Sequence, residues 1–350
     1  MSKVSDISLG GLRLPELPHR STSNDSNRPL TRLVRKIRNS DLVMCGIVSA
    51  FRFFQRLGIS ITPNHFYWPI PDLAELERRK WTGEMAIIGI DLCLPRQREF
   101  LTKIAAQYGP ELARLATQPG NGEYHYNNGF FESVDAEIAY CFVRHYQPAR
   151  IIEVGGGYST RVLSAALRAN QEQTGQAGEL VTIEPHPIDA LRQRRCKPAM
   201  LIEKAIQEVD LTLFVSLREG DILFLDSSHV VSVGSDVVRE YLEIVPRLAK
   251  GVLVHVHDIF LPSDYPRDNV FGKLSFWSEQ YLLQALLMFN PLFEILWSSS
   301  AMQMSYKDEL LKVFPAWAHS YRDMPRDIRR FLPTLDHDRV WPSSFWMRRI

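Results

Sequence analysis

The sequence predicts an α/β fold: a doubly wound, Rossmann-like and mostly parallel sheet behind an N-terminal helical cap. Three observations carry that reading. Arg150, Ile151, Ile152, Glu153 and Val154 form an apolar run holding one acid, and it enters Gly155, Gly156 and Gly157 before a helix-like segment at 162–169. From residue 150 onward, short apolar runs alternate with helix-like segments, as in repeated βα units. Several of the runs end in acids or histidines, where open α/β sheets bind their ligands.

In chain order, residues 1–30 are rich in Ser, Pro, Asn and Arg without periodicity and read as disordered. Arg32, Arg35, Lys36 and Arg38 lead into an amphipathic helix ending near Leu57. Pro63, Pro69 and Pro71 forbid a regular helix in the next stretch, whose His65, Tyr67 and Trp68 either wall a pocket or pack. Helices are expected over 72–80, 95–115 and 131–146, with an aromatic loop holding Tyr124 and Tyr126 between the last two. Residues 31–149 thus read as a cap region.

The core is expected over 150–306. Its strands are 150–154, 180–184, 200–204, 221–226 and 251–256, with helices at 237–248 and 275–289. Runs 293–297 and 302–306 read as a closing antiparallel hairpin, and 307–350, rich in Trp, Pro and Arg, as a C-terminal extension.

Composition narrows the function classes. The chain has 350 residues, 45% hydrophobic and 23% charged, with a formal net charge of +1. That balance is ordinary for a soluble globular protein and gives no support to a nucleic-acid partner. Cys45, Cys93, Cys141 and Cys196 form no C-x-x-C pair, so reduced thiols in the cytoplasm are expected rather than a disulfide framework or zinc knuckle. No apolar run is long enough to span a membrane, and no export signal is evident. A homo-oligomer stays open.

The glycine turn departs from the dinucleotide pattern G-x-G-x-x-G, whose last glycine is replaced by Thr160. Glu153, just ahead of it, would repel a pyrophosphate but hold a ligand bearing an ammonium group. S-adenosylmethionine (SAM) is such a ligand. Glu153, Gly155, Gly156, Gly157 and Ser159 are therefore its candidate contacts, and Glu184, ending the second strand, is placed on the ribose hydroxyls. Asp226, Ser227, Ser228 and His229 end the fourth strand; His255, Val256, His257 and Asp258 end the fifth. Asp226, His257 and Asp258 are expected to hold Mg²⁺ or another divalent cation. His229 stands as base or as a further ligand, with Asp226 beside it. Asp226 has a second reading as a helix cap. His255 is read as facing away from His257, buried or hydrogen-bonded.

Ile152 to Gly157, Glu184 and Asp226 to His229 resemble a class I SAM-dependent methyltransferase, with closest likeness to the bacterial family-24-like methyltransferases. Segments 62–72 and 255–262 resemble that group too, so the likeness runs from about residue 60 to 305. It implies a seven-stranded sheet with the last pair reversed and SAM on Glu153, Gly155, Gly157 and Glu184. Set against metal-dependent catechol-type O-methyltransferases, Asp226, His257 and Asp258 fall on metal-ligand positions and His229 on the catalytic lysine. The reading is an O-methyltransferase acting on a hydroxyl of a small or glycosylated metabolite. An oxidoreductase or hydroxylase-like enzyme, and a non-catalytic SAM-binding partner, are the alternatives.

Overall fold

The computed structural model describes residues 50–51, 53–60, 62, 69–79, 85–115, 123–192, 198–329 and 332–350. The expectations for 1–30, the basic run from Arg32, His65, Tyr67, Trp68, Cys45 and Cys196 lie outside them. The chain divides into two compact units, residues 1–80 and 81–350. In the first, helix Leu73–Arg78 is capped by Asp72, which accepts from the Glu75 N–H at 3.1 Å.

The second unit opens with α1 (Leu94–Leu112) and α2 (Asp135–Tyr146). There follow β1 (Arg150–Val154), α3 (Tyr158–Thr174), β2 (Glu179–Ile183), β3 (Met200–Ile202), α4 (Leu211–Val215) and β4 (Ile222–Leu225). Next come α5 (Asp236–Arg239), which runs on through a π turn (Glu240–Ile244) and a 3₁₀ turn (Val245–Arg247), and then β5 (Leu253–Val256). The chain closes with α6 (Glu279–Leu287), β6 (Phe293–Ser298), α7 (Ser299–Val313) and β7 (Phe345–Arg349).

The seven strands lie in the order β3-β2-β1-β4-β5-β7-β6. β1 to β5 pair in parallel, and β7 runs antiparallel to both β5 and β6. β7 alone is therefore reversed, rather than the last pair. Alternate strand residues face opposite layers. Ile151, Leu180, Phe224 and Trp346 pack against α1, α2, α3 and α7. Ile152, Val181, Leu223, Val254 and Met347 pack on the other side, against Tyr241, Ile244 and Leu283. The cap reading needs revision here: α2 is buried along nearly all its length, and its apolar side chains belong to a core layer.

The hairpin expectation is also corrected. Residues 302–306 are helical within α7, and the partner of β6 comes from the extreme C-terminus. Residues 307–350, read as an extension, contribute the strand that joins β5 to β6. Apolar side chains at 302–306 suit a buried helix face as well as a strand, and periodicity over so short a run does not separate the two.

β1 sits between β2 and β4, so the chain leaves it in one direction and returns on its other side. This reversal opens a crevice at the C-terminal ends of β1 and β4.

Because Phe345, Trp346 and Met347 are fully buried, each contributes roughly 1.5–3 kcal/mol, a large part of a stability of about 5–15 kcal/mol. Deleting residues 345–350 is expected to abolish cooperative thermal unfolding followed by circular dichroism. A truncated chain melting within a few degrees of wild type would contradict the placement of β7.

Candidate active site

The crevice is built on one close approach. Gly155 has φ +84°, and a Cβ there would lie 1.8 Å from the Asp226 carbonyl oxygen. Only glycine permits both the left-handed backbone and that distance. The Asp226 N–H donates to the Val154 carbonyl at 2.9 Å, so the ends of β1 and β4 are locked together. α3 begins at Tyr158, directly after the glycines, and aims its first N–H groups at the crevice.

Two cavities flank this contact. A groove of about 230 Å³ is lined by Gly155, Gly156, Gly157, Tyr158, Ser159 and Glu184, among others. A chamber of about 300 Å³ is lined by Asp226, His229, His257, Asp258, Trp277 and Trp341, among others. Phe130 and Asp226 line both. Phe130 is held out by the preceding loop and stacks on Tyr158 at 5.9 Å. Asn128 fixes that loop, accepting from the Phe130 and Phe131 N–H groups at 2.9 Å.

Glu153 is not in the groove wall. It is fully buried beneath the loop, accepting from Ser159 Oγ at 2.8 Å and from Thr160 and Thr182 Oγ1 at 2.7 Å each. Thr160 Oγ1 in turn accepts the Gly157 N–H at 2.9 Å, which ties the acid to the turn above it. Burial pushes its carboxyl up to about 7, against the pull of those hydroxyls. The direct grip on an ammonium expected of Glu153 is thus replaced by a support from below. Glu184 does reach the groove, accepting from the Gly156 N–H at 3.2 Å and the His186 N–H at 2.7 Å.

In the chamber the sequence-predicted residues do come together, but around an imidazole. His229 Nε2 lies 3.5 Å from Asp226 Oδ1 and 3.5 Å from Asp258 Oδ2. Its Nδ1 donates to Glu279 Oε2 at 2.8 Å. Burial alone would push His229 down, yet Asp226, Glu279 and Asp258 hold it well above the ordinary histidine range. Burial also opposes the charge of Asp226, but His257 and His229 outweigh it and lower its pKa. The backbone is strained at this point, with φ +61° at His229 and +56° at Asp258.

This donor set does not fit a divalent cation. His229 occupies the space between Asp226 and Asp258, and His257 Nε2 stands 3.9 Å from Asp258 Oδ1. Among the described residues, no group of three or more His, Cys, Asp or Glu side chains is arranged to hold a metal ion.

His255 is buried, as expected, with Nε2 2.9 Å from Ser344 Oγ and its ring 3.7 Å from that of Phe224. It does not face away from His257. The two rings lie 5.8 Å apart on one side of the strand end, as residues two apart must. Tyr124 is buried and Tyr126 half-buried: Tyr124 donates to the Phe131 carbonyl and Tyr126 to Glu137.

Glu279, Trp277 and Trp341 are the site residues that sequence reasoning missed. Glu279 opens α6, and its other oxygen accepts from Tyr241 Oη at 3.0 Å. The Ser278 and Glu279 N–H groups donate to the His229 carbonyl, strapping the two segments together. Nothing local in the sequence marks that pairing across 50 positions.

A family model described as a methyltransferase domain matches residues 152–259. An uncharacterized protein of Archaeoglobus fulgidus is 34% identical over 175 residues, covering 47% of this chain and 77% of its own. A solved SAM-dependent methyltransferase from Archaeoglobus fulgidus aligns with 61% of this chain and 94% of its own, at 10% identity and a TM-score of 0.30. The chain belongs to the methyltransferase-domain family. Among the described residues no helix is long and apolar enough to cross a membrane.

Two outcomes follow from the loop. Gly155→Ala meets a backbone oxygen at an unsuitable φ and is expected to cost on the order of 2–4 kcal/mol, read by urea denaturation; an unchanged midpoint would refute the close contact. Glu153 has a folded-state pKa raised from 4.5 to about 7, so its charge destabilises the fold increasingly as pH climbs through that window. The melting temperature of Glu153→Gln minus that of wild type should therefore grow from pH 5 to pH 8, and a flat difference would argue against the buried charge.

Proposed function

We propose that the protein transfers the methyl group of SAM to a hydroxyl oxygen of a small or glycosylated acceptor, with His229 as base. The observation that carries this reading is the His229–Glu279 pair beside the junction of the two cavities. The groove under Gly155, Gly156, Gly157 and Ser159 takes SAM, and Glu184 accepts from the ribose hydroxyls. Its described lining holds no lysine or arginine, while Glu184 and Asp226 line it and Glu153 lies beneath. That surround suits a cation and disfavours the pyrophosphate of a nicotinamide cofactor.

Bound SAM supplies an electrophilic methyl on a positively charged sulfur. The acceptor hydroxyl lies in the chamber, where His229 Nε2 takes its proton. Glu279 keeps the ring oriented and balances the charge it gains, as a carboxylate does for a base histidine in hydrolases. Asp226, at the boundary of both cavities, lines up the two reactants. His229 fills the space between Asp226 and Asp258, so this reading assigns the proton to the imidazole rather than to a metal-bound group.

A screen of hydroxyl-bearing acceptors with isotope-labelled SAM tests this, the expected product being a methyl ether. His229→Gln should lower the rate by roughly 10²–10⁴ with SAM affinity retained; wild-type turnover in that variant, or an N- or C-methylated product, would overturn the reading. EDTA should leave the rate unchanged. Because the neighbouring carboxylates hold His229 protonated, the rate should climb with pH above neutrality. Glu279→Gln removes one of those anions and should move that limb to lower pH.

A further inference from the structure

Resting on the reading of the larger chamber as the acceptor site, we propose that the acceptor is a non-anionic polyol ring. It lies against Trp341 and Trp277 with its hydroxyls turned to Asp226 and Asp258.

Charge is the first argument. Glu132, Asp135, Asp226 and Asp258 line the chamber, and among the described residues no lysine or arginine does. The imidazoles do not compensate. Both nitrogens of His229 already face carboxylates, and His257 is surrounded by Asp226, Asp258 and Asp135. A phosphate or carboxylate on the acceptor would meet the like charge of Asp226 and Asp258, and among the described lining residues no lysine or arginine offsets it. A hydroxyl is a donor, which ionised carboxylates accept.

The walls are the second argument. Trp277 and Trp341 are only partly buried, unlike Trp297, Trp317 and Trp346. A run of rings fixes them from behind: Trp277 to Tyr265 at 6.0 Å, Tyr265 to Phe260 at 5.9 Å, and Phe260 to Trp341 at 6.0 Å. Trp341 Nε1 donates to Ser300 Oγ at 3.1 Å, which sets the plane of its indole. Flat apolar walls with a few fixed acceptors match a ring that has an apolar face and a hydroxyl rim.

The C-terminal arm holds this wall in register. Asp135 accepts the Ser343 N–H at 2.8 Å and the Ser344 N–H at 2.9 Å, and Ser343 Oγ donates to Asp258 at 3.0 Å. Trp341 is thus carried on the same short segment that braces Asp258, so part of the acceptor wall comes from residues after the family-matched region.

The test uses the full-length protein saturated with S-adenosylhomocysteine, titrated with phenyl β-D-glucopyranoside or phenyl β-D-glucuronide while tryptophan fluorescence is followed. These probes differ by one carboxylate. The neutral glycoside should bind saturably, and the glucuronide at least about tenfold more weakly. Trp341→Ala should weaken the glycoside about tenfold with S-adenosylhomocysteine affinity unchanged, which also reports that the variant is folded. Asp258→Asn should narrow the gap between the two probes. Equal or tighter glucuronide binding, or no saturable glycoside binding to the loaded protein, overturns the proposal. Failure of S-adenosylhomocysteine itself to bind would instead strike the cofactor reading on which it rests.

Discussion

The site depends on the contact between Gly155 and the Asp226 carbonyl. A doubly wound sheet always opens at its switch point, but here the strand ends touch at a distance no side chain tolerates. The glycine turn is thereby fixed against the end of β4, and Asp226 is set where the groove meets the chamber. Groove and chamber share a wall because two backbones do.

Electrostatics finish what that contact begins. Glu153 gives up exposure and takes three hydroxyl partners, bracing the turn from inside the sheet. On the chamber side, His229 lies among Asp226, Asp258 and Glu279, the last held by Tyr241 from the π turn after α5. A buried charge is tolerated only when paired and hydrogen-bonded. Glu279 is so placed between His229 and Tyr241, whereas Glu153 has hydroxyl partners alone and its carboxyl is pushed up to about 7; the strained φ values at His229 and Asp258 show what the surrounding structure enforces at the chamber.

Much of this was legible in the sequence, for local reasons. An apolar run into Gly155, Gly156 and Gly157 announces strand, turn and helix within a dozen residues, and Glu184, Asp226 and His257 follow runs with clear strand character. The failures are non-local. β7 follows β6 in space but arrives after a long helical detour, so local periodicity places the hairpin too early. Glu153 reads as a ligand in the sequence because its hydroxyl partner Thr182 comes from a neighbouring strand. The expected cation gave way to His229 because Glu279, far along the chain, turns that ring between the two aspartates.

The central claim is that this crevice holds an amino-acid-bearing, cationic adenosine cofactor rather than a dinucleotide. Calorimetric titration with S-adenosylhomocysteine and, separately, with NADH tests it most directly. The account predicts saturable binding of S-adenosylhomocysteine at one site per chain, and none of NADH. Saturable NADH binding, or no heat with S-adenosylhomocysteine, would contradict it.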